Sequence, residues 1–255
     1  MIIRLILPLL LLLSAPAIAC TGAEECPLGD RAYHVREPDG WDGVTPLPVM
    51  LHFHGWGRQG QTIMNHPRIA GATAPRGVLL VAPDGLGRSW SFRRPNSRDT
   101  SFGRDVLADV AARYPTDGQL IVSGYSWGAL MAARFACESG LEIDALLLVS
   151  GAFPPDMACA GRPARVAHVH GTTDTVLDFP YGPRGEITYA VGLWRRMLGC
   201  DGAAERRYDW QAVSWLTIDR HEWDCARGMV SMDVHPASHL IPRGWFAQIL
   251  DETLN

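Results

Sequence analysis

Continuous apolar runs punctuate the chain at residues 47–54, 78–82, 119–123, 143–150, 165–170 and 229–234. Runs of this length, bounded by turn residues, read as strands buried on both faces. An earlier stretch, 31–36, alternates in the manner of a half-buried strand. Between the runs lie segments of helical period. Residues 62–74 carry a weak one, and 103–114 place Val106, Val110 and Ala111 on one apolar face. Residues 129–136, 187–198 and 245–254 read as further helices. Residues 38–46 are turn-rich, 90–102 are polar, Arg-rich and unpatterned, 174–185 read as a loop, and so does the stretch bracketed by Cys200 and Cys225. Strands alternating with helices predict an α/β fold: a mostly parallel central sheet with helices on both faces.

The chain has 255 residues, enough for one large α/β core. Its start, an arginine followed by the apolar residues 5–13 and then Ala17-Ile18-Ala19, reads as a secretory signal peptide over 1–19. Its apolar core is too short for a membrane span. With no repeat or low-complexity linker, 20–255 is expected to be a single catalytic domain. A net charge of −4 without a long basic run offers no footprint for nucleic acid.

Export changes the reading of the six cysteines, Cys20, Cys26, Cys137, Cys159, Cys200 and Cys225. An even set in an exported protein reads as disulfides. Sequential pairing is expected: Cys20 and Cys26 are near neighbours, Cys137 closes a helix ahead of Cys159, and Cys200 and Cys225 tie down the intervening loop. The alternative of a lipid-anchored Cys20 would leave one thiol over, and Ala17 stands where lipidation sites usually carry leucine. The expected location is periplasmic or extracellular.

The chemistry centres on Gly124-Tyr125-Ser126-Trp127-Gly128, between a strand and a helix. Strand, G-x-S-x-G and helix together are the sequence form of a nucleophile elbow. The glycines give room for strand and helix to approach, and the serine stands on a strained turn. The Trp127 amide, at a helix N-terminus, is placed to stabilise negative charge. A serine nucleophile needs a base, and the base a carboxylate. With this elbow the chain order is serine, acid, histidine. Asp174, in the loop after 165–170, is the acid, with Asp178 as rival. His239, after the last strand, is the base, with His235 as rival. The second oxyanion donor is assigned to the Trp56 amide in His54-Gly55-Trp56-Gly57.

Four segments resemble one known family: 54–57, 124–128, 170–174 and 239–242. In order and spacing they are similar to the secreted α/β-hydrolase esterases grouped as polyhydroxybutyrate depolymerase-like and feruloyl esterase-like. That resemblance implies an α/β-hydrolase fold, a Ser126–His239–Asp174 triad without cofactor or metal, and a Cys200–Cys225 bridge. Departures lie at 235–238, where the family often has a glycine-rich approach to the histidine, at Ile241, which stands at a frequent tryptophan position, and at Trp127, often smaller. They leave the chemistry intact and bear on substrate. No further substrate-binding module is expected after the domain, which argues against insoluble polyester.

The reaction expected is hydrolysis of a small or oligomeric carboxylic ester, feruloyl-type or short hydroxyalkanoate, by a monomer of this one domain. Most of the nine tryptophans are expected to pack in the core, while Trp90 with Arg88, Arg93, Arg94 and Arg98 occupies a candidate substrate loop where an arginine would suit a carboxylate. Two rivals use other chemistry or other bonds. His52-x-His54 and His168-x-His170 each place two imidazoles on one strand face, a start for a zinc hydrolase. A serine peptidase would use the same triad, and a non-catalytic binding protein the same fold.

Overall fold

A computed structural model describes residues 20–21, 24–200 and 205–254. The expected signal peptide lies outside the described residues. The strands are β1 (Cys26–Leu28), β2 (Arg31–Arg36), β3 (Leu47–Phe53), β4 (Leu79–Pro83), β5 (Thr116–Tyr125), β6 (Ala145–Val149), β7 (Arg165–Gly171), β8 (Glu205–Val213), β9 (Leu216–Cys225) and β10 (Gly228–His235). The helices are α1 (Gln61–Met64), α2 (Ala70–Thr73), α3 (Arg98–Arg113), α4 (Trp127–Glu138), α5 (Gly192–Leu198) and α6 (Trp245–Leu254).

The strands form one ten-stranded sheet in the order β1-β2-β4-β3-β5-β6-β7-β10-β9-β8. The centre, from β4 to β10, is parallel, and both edges are antiparallel. Consecutive residues of the central strands go to opposite faces. Leu51, Val122 and Leu146 join Val106, Phe135 and Trp194 on one face, whereas Met50, Ile121 and Leu147 join Ile69, Trp245 and Phe246 on the other. Helices α3, α4 and α5 therefore cover one face, and α1, α2 and α6 the second. This is the open α/β-hydrolase architecture. The order reverses at β3, whose neighbours are β4 and β5, and such a switch point leaves a crevice at the carboxyl ends of the strands.

The structure corrects three local expectations. The segment between Cys200 and Cys225 is mostly a hairpin, β8 and β9, rather than a loop. Its outer strand is almost entirely exposed and charge-rich, so no apolar pattern announces it. Cross-strand ion pairs, Arg207–Asp219 at 2.6 Å and Arg206–Glu222 at 2.6 Å, join its two strands. Helix α3 begins at Arg98, five residues before the expected start at 103, because Ser97 caps it by accepting from the Thr100 amide at 3.4 Å. The weak period over 62–74 resolves into two single turns on either side of Pro67. Strand β1 is short and paired only with β2.

The six cysteines form three bridges, Cys20–Cys26, Cys137–Cys159 and Cys200–Cys225, as sequential pairing expects. They fit a protein made for an oxidising compartment. No helix among the described residues is long and apolar enough to cross a membrane.

The tightest constraint lies where α4 leaves β5. A Cβ at Gly128 would collide with the carbonyl oxygen of Phe53, and one at Gly124 with that of Gly128. Gly71, in α2, has open space around its Cβ direction. Gly128→Ala is expected to cost about 3 kcal/mol or more, lowering Tm by roughly 10 °C, while Gly71→Ala leaves Tm unchanged or raises it. Thermal unfolding followed by circular dichroism checks both.

Candidate active site

Ser126 is the first residue beyond β5 and caps α4 with φ 58° and ψ −124°. Positive φ is uncommon for serine and signals a conformation imposed by its surroundings. The Ser126 amide donates to Val149 O at 2.8 Å, anchoring the bend to β6. The serine is 6% exposed and opens onto a cavity of about 460 Å³. Gly55, Trp56, Tyr125, Trp127, Val176 and His239 also line it.

The loops after β7 and β10 are stitched together beside this cavity. Thr172 N donates to His235 O at 2.8 Å, and Thr173 Oγ1 donates to Pro236 O at 3.1 Å. Gly171 allows the approach, since a Cβ there would strike Ala237 O. The result is a 2.6 Å hydrogen bond between His239 Nδ1 and Asp174 Oδ2. The other carboxylate oxygen of Asp174 accepts from the amides of Val176 and Leu177, at 2.9 and 3.1 Å. Burial opposes ionisation of Asp174, but the His239 bond and these two amides outweigh it and hold its carboxyl below the usual range. The rivals stand apart. Asp178 is exposed, and His235 is buried, accepts from Ala237 N at 3.2 Å and does not line the cavity.

Sequence assigns no role to Tyr125, and it singles out His170 only as half of a His-x-His pair. The Tyr125 hydroxyl donates to His239 O at 3.1 Å, and its ring lies 4.9 Å from the imidazole. The residue before Ser126 thus holds the loop that carries His239. His170 Nε2 donates to Leu177 O at 2.9 Å and lies 3.2 Å from Asp174 Oδ2, supporting the acid from below. Neither has a local signal, because each acts on a partner that is distant in sequence or merely one loop away.

The turn after β3 is fixed by His54. Its Nδ1 donates to Gly55 O at 2.8 Å, and its Nε2 accepts from Gly85 N at 3.0 Å. Trp90 Nε1 donates to His54 O at 2.7 Å. Trp90 is therefore buried scaffolding rather than part of an open substrate loop. Within the turn, Gly57 N donates to Arg88 O and Arg58 N to Gly55 O. The Trp56 amide has no protein acceptor among the described residues. The Trp127 amide, first in α4, has no intrahelical acceptor. Both belong to residues lining the Ser126 cavity.

Of the His-x-His pairs, His54 has both ring nitrogens engaged, His52 Nδ1 meets Ser123 Oγ at 2.9 Å, and His168 Nε2 meets His170 Nδ1 at 3.3 Å. No group of three or more His, Cys, Asp and Glu able to hold a metal occurs among the described residues.

No protein-family model matches the chain. Feruloyl esterase D of Neurospora crassa is 30% identical over 209 residues, covering 70% of this chain and 71% of that protein. The chain belongs to the feruloyl esterase-like α/β-hydrolases. These are serine carboxylic-ester hydrolases. Feruloyl esterase C of Emericella nidulans is 27% identical over 168 residues, 61% of this chain and 59% of that protein. Among solved structures, an acetyl xylan esterase from Aspergillus awamori superposes with a TM-score of 0.61 at 14% identity, covering 89% of this chain and 93% of the other.

Burial holds six imidazoles, His52, His54, His66, His168, His170 and His235, below the ordinary histidine range, His52 at about 3 and His235 at about 4. In the unfolded chain they titrate near 6.5. The unfolded state then binds more protons below that value, so stability falls as pH drops from about 6.5 toward 4. Calorimetry across pH is expected to show a level Tm above pH 7 and a steep fall below 6. His235→Asn, which keeps an acceptor for Ala237 but cannot titrate, makes that fall shallower.

Proposed function

We propose that Ser126, His239 and Asp174 form the catalytic triad of a secreted esterase, and that 20–255 is its one catalytic domain. The observation that carries this is the 2.6 Å Asp174–His239 bond at the rim of the cavity onto which Ser126 opens. Asp174 fixes the imidazole with its proton on Nδ1, leaving Nε2 as the base. The Ser126 hydroxyl attacks the ester carbonyl as His239 takes its proton. The carbonyl oxygen becomes an oxyanion, stabilised by the amides of Trp56 and Trp127. As the tetrahedral intermediate collapses, His239 protonates the departing alcohol, leaving an acyl group on Ser126. Water, deprotonated by His239, then attacks the acyl carbonyl, and collapse returns the carboxylic acid and the serine.

The family relatives support a feruloyl-type ester, and the acetyl xylan esterase fold neighbour keeps a short acyl ester in view. Short hydroxyalkanoate esters belong to the same class of reaction. The cavity is walled by Trp56 and Trp127, whose rings lie 6.2 Å apart, and by Val176. Such a surface suits an apolar or aromatic acyl group.

Labelling by a fluorophosphonate is expected at Ser126 and absent in Ser126→Ala. Turnover of 4-nitrophenyl butyrate should fall by about 10^4-fold or more in that variant, and by about 10^3-fold or more in Asp174→Asn. Retention of ester turnover by Ser126→Ala overturns the nucleophile assignment. Comparing methyl ferulate with acetyl and hydroxybutyryl esters then fixes the acyl class.

A further inference from the structure

A second cavity, of about 360 Å³, adjoins the first and shares Gly55, Arg58 and Tyr125 with it. Its remaining walls include His52, Ile63, His66, Ile69 and Ile241. Arg58 therefore stands at the boundary of both cavities. Its guanidinium has no carboxylate, carbonyl or aromatic partner among the described residues. Neither cavity has an aspartate or glutamate in its lining.

Several arginines elsewhere in the molecule are neutralised by acids. Arg31 pairs with Asp99, Arg134 with Glu138, and Arg220 with Asp233 and Glu252. Arg98, from the segment 90–102, pairs with Asp30 on the surface at 3.1 Å. Arg93, from the same segment, is unpaired by any acid. Its guanidinium carbon lies 5.8 Å from the centroid of the Trp127 ring, on the wall of the serine cavity. Arg68 donates to Ile241 O beside the second cavity and has no carboxylate partner. The acids of the loop after β7 are not paired with these arginines. Asp174 is bound to His239 and two amides, and Asp178 lines neither cavity. A chain of net charge −4 thus presents cationic groups without counter-charge at the mouth of its candidate site. Arg58 and Arg93 are exposed, so their field reaches an approaching anion and is screened by salt.

We propose that the ester hydrolysed here carries a free carboxylate, and that Arg58 is the specificity-determining residue that binds it. The guanidinium fork matches a carboxylate in geometry as well as charge. Arg93 and Arg68 add to the field that draws the anion in. This deepens the ester-hydrolase reading above and rests on it. A carboxylate on the acyl half is what a diacid half-ester or the end of a hydroxyalkanoate oligomer presents after its ester bond is placed at Ser126. A carboxylate on the alcohol half is what an acid esterified through its own hydroxyl presents.

Two substrate pairs separate these sources. Monomethyl adipate against dimethyl adipate reads the acyl side, and 4-acetoxybenzoate against phenyl acetate reads the alcohol side. The quantity to compare is the charged-to-neutral ratio of kcat/KM in wild type, Arg58→Gln and Arg58→Lys. For at least one pair the ratio is expected to fall about tenfold in Arg58→Gln, to recover in part in Arg58→Lys, and to fall in the wild type with added salt. A purely structural role for Arg58 would lower both members of a pair together and leave the ratio unmoved. An unmoved ratio in both pairs overturns the proposal. If no ester is turned over and Ser126 takes no fluorophosphonate, the ester-hydrolase reading has failed instead. The anion site is then read by tryptophan fluorescence with benzoate. Weaker binding to Arg58→Gln than to wild type supports it, and equal binding overturns it.

Discussion

A serine held at φ 58° is in a conformation that its own side chain disfavours, and it persists only because the structure on either side leaves no alternative. Before it, Gly124 is wedged against the backbone of Gly128. After it, Gly128 is wedged against the backbone of Phe53. The amide between is tied to β6. Strand β5 is flanked by β3 and β6, so the bend is clamped by three strands and a helix at once. Relaxing it would require one of these elements to move, and all are packed in the interior.

The rest of the site is organised by what this bend makes available. Because the strands are parallel, their carboxyl ends lie at one edge, and the loops leaving β3, β5, β7 and β10 meet there. Each loop is then fixed by a different device. His54 nails the turn after β3 to Gly85, and Trp90 closes over it. Thr172 and Thr173 join the loops after β7 and β10. Tyr125 reaches from the elbow itself to His239 O. Asp174 and His239 are set by this network before any substrate arrives, which is the condition for electrostatic preorganisation. The histidines buried around it are kept neutral by desolvation and serve as hydrogen-bonding scaffold.

Much of this was legible in the chain. The parallel strands announce themselves because a strand buried on both faces must be apolar throughout, as in β6. The elbow is legible because two backbones in contact exclude a side chain at fixed positions on either side of the serine. Asp174 and His239 follow from chain order in such folds. What the sequence hid obeys a different physics. The β8–β9 hairpin is held by cross-strand charges, and a strand such as β8 with an exposed, charged pattern has no apolar period to detect. Helix α3 starts at a capping serine outside its apolar stripe. Tyr125, His170 and Trp90 act through hydrogen bonds to residues brought near by folding, Tyr125 across a separation of 114 residues. The Arg-rich segment read as one feature separates into an ion pair at Arg98, a carbonyl from Arg88 that braces the turn after β3, and an unpaired Arg93.

The central claim is that the strained serine, the imidazole and two main-chain amides converge on one reacting carbon. A crystal structure of the enzyme phosphonylated by a fluorophosphonate tests this most directly. The account predicts phosphorus bonded to Ser126 Oγ, its free oxygen about 2.7–3.1 Å from the amides of Trp56 and Trp127, and His239 Nε2 within hydrogen-bonding reach of Oγ. An adduct on another residue, or one whose free oxygen points into solvent away from both amides, would contradict it.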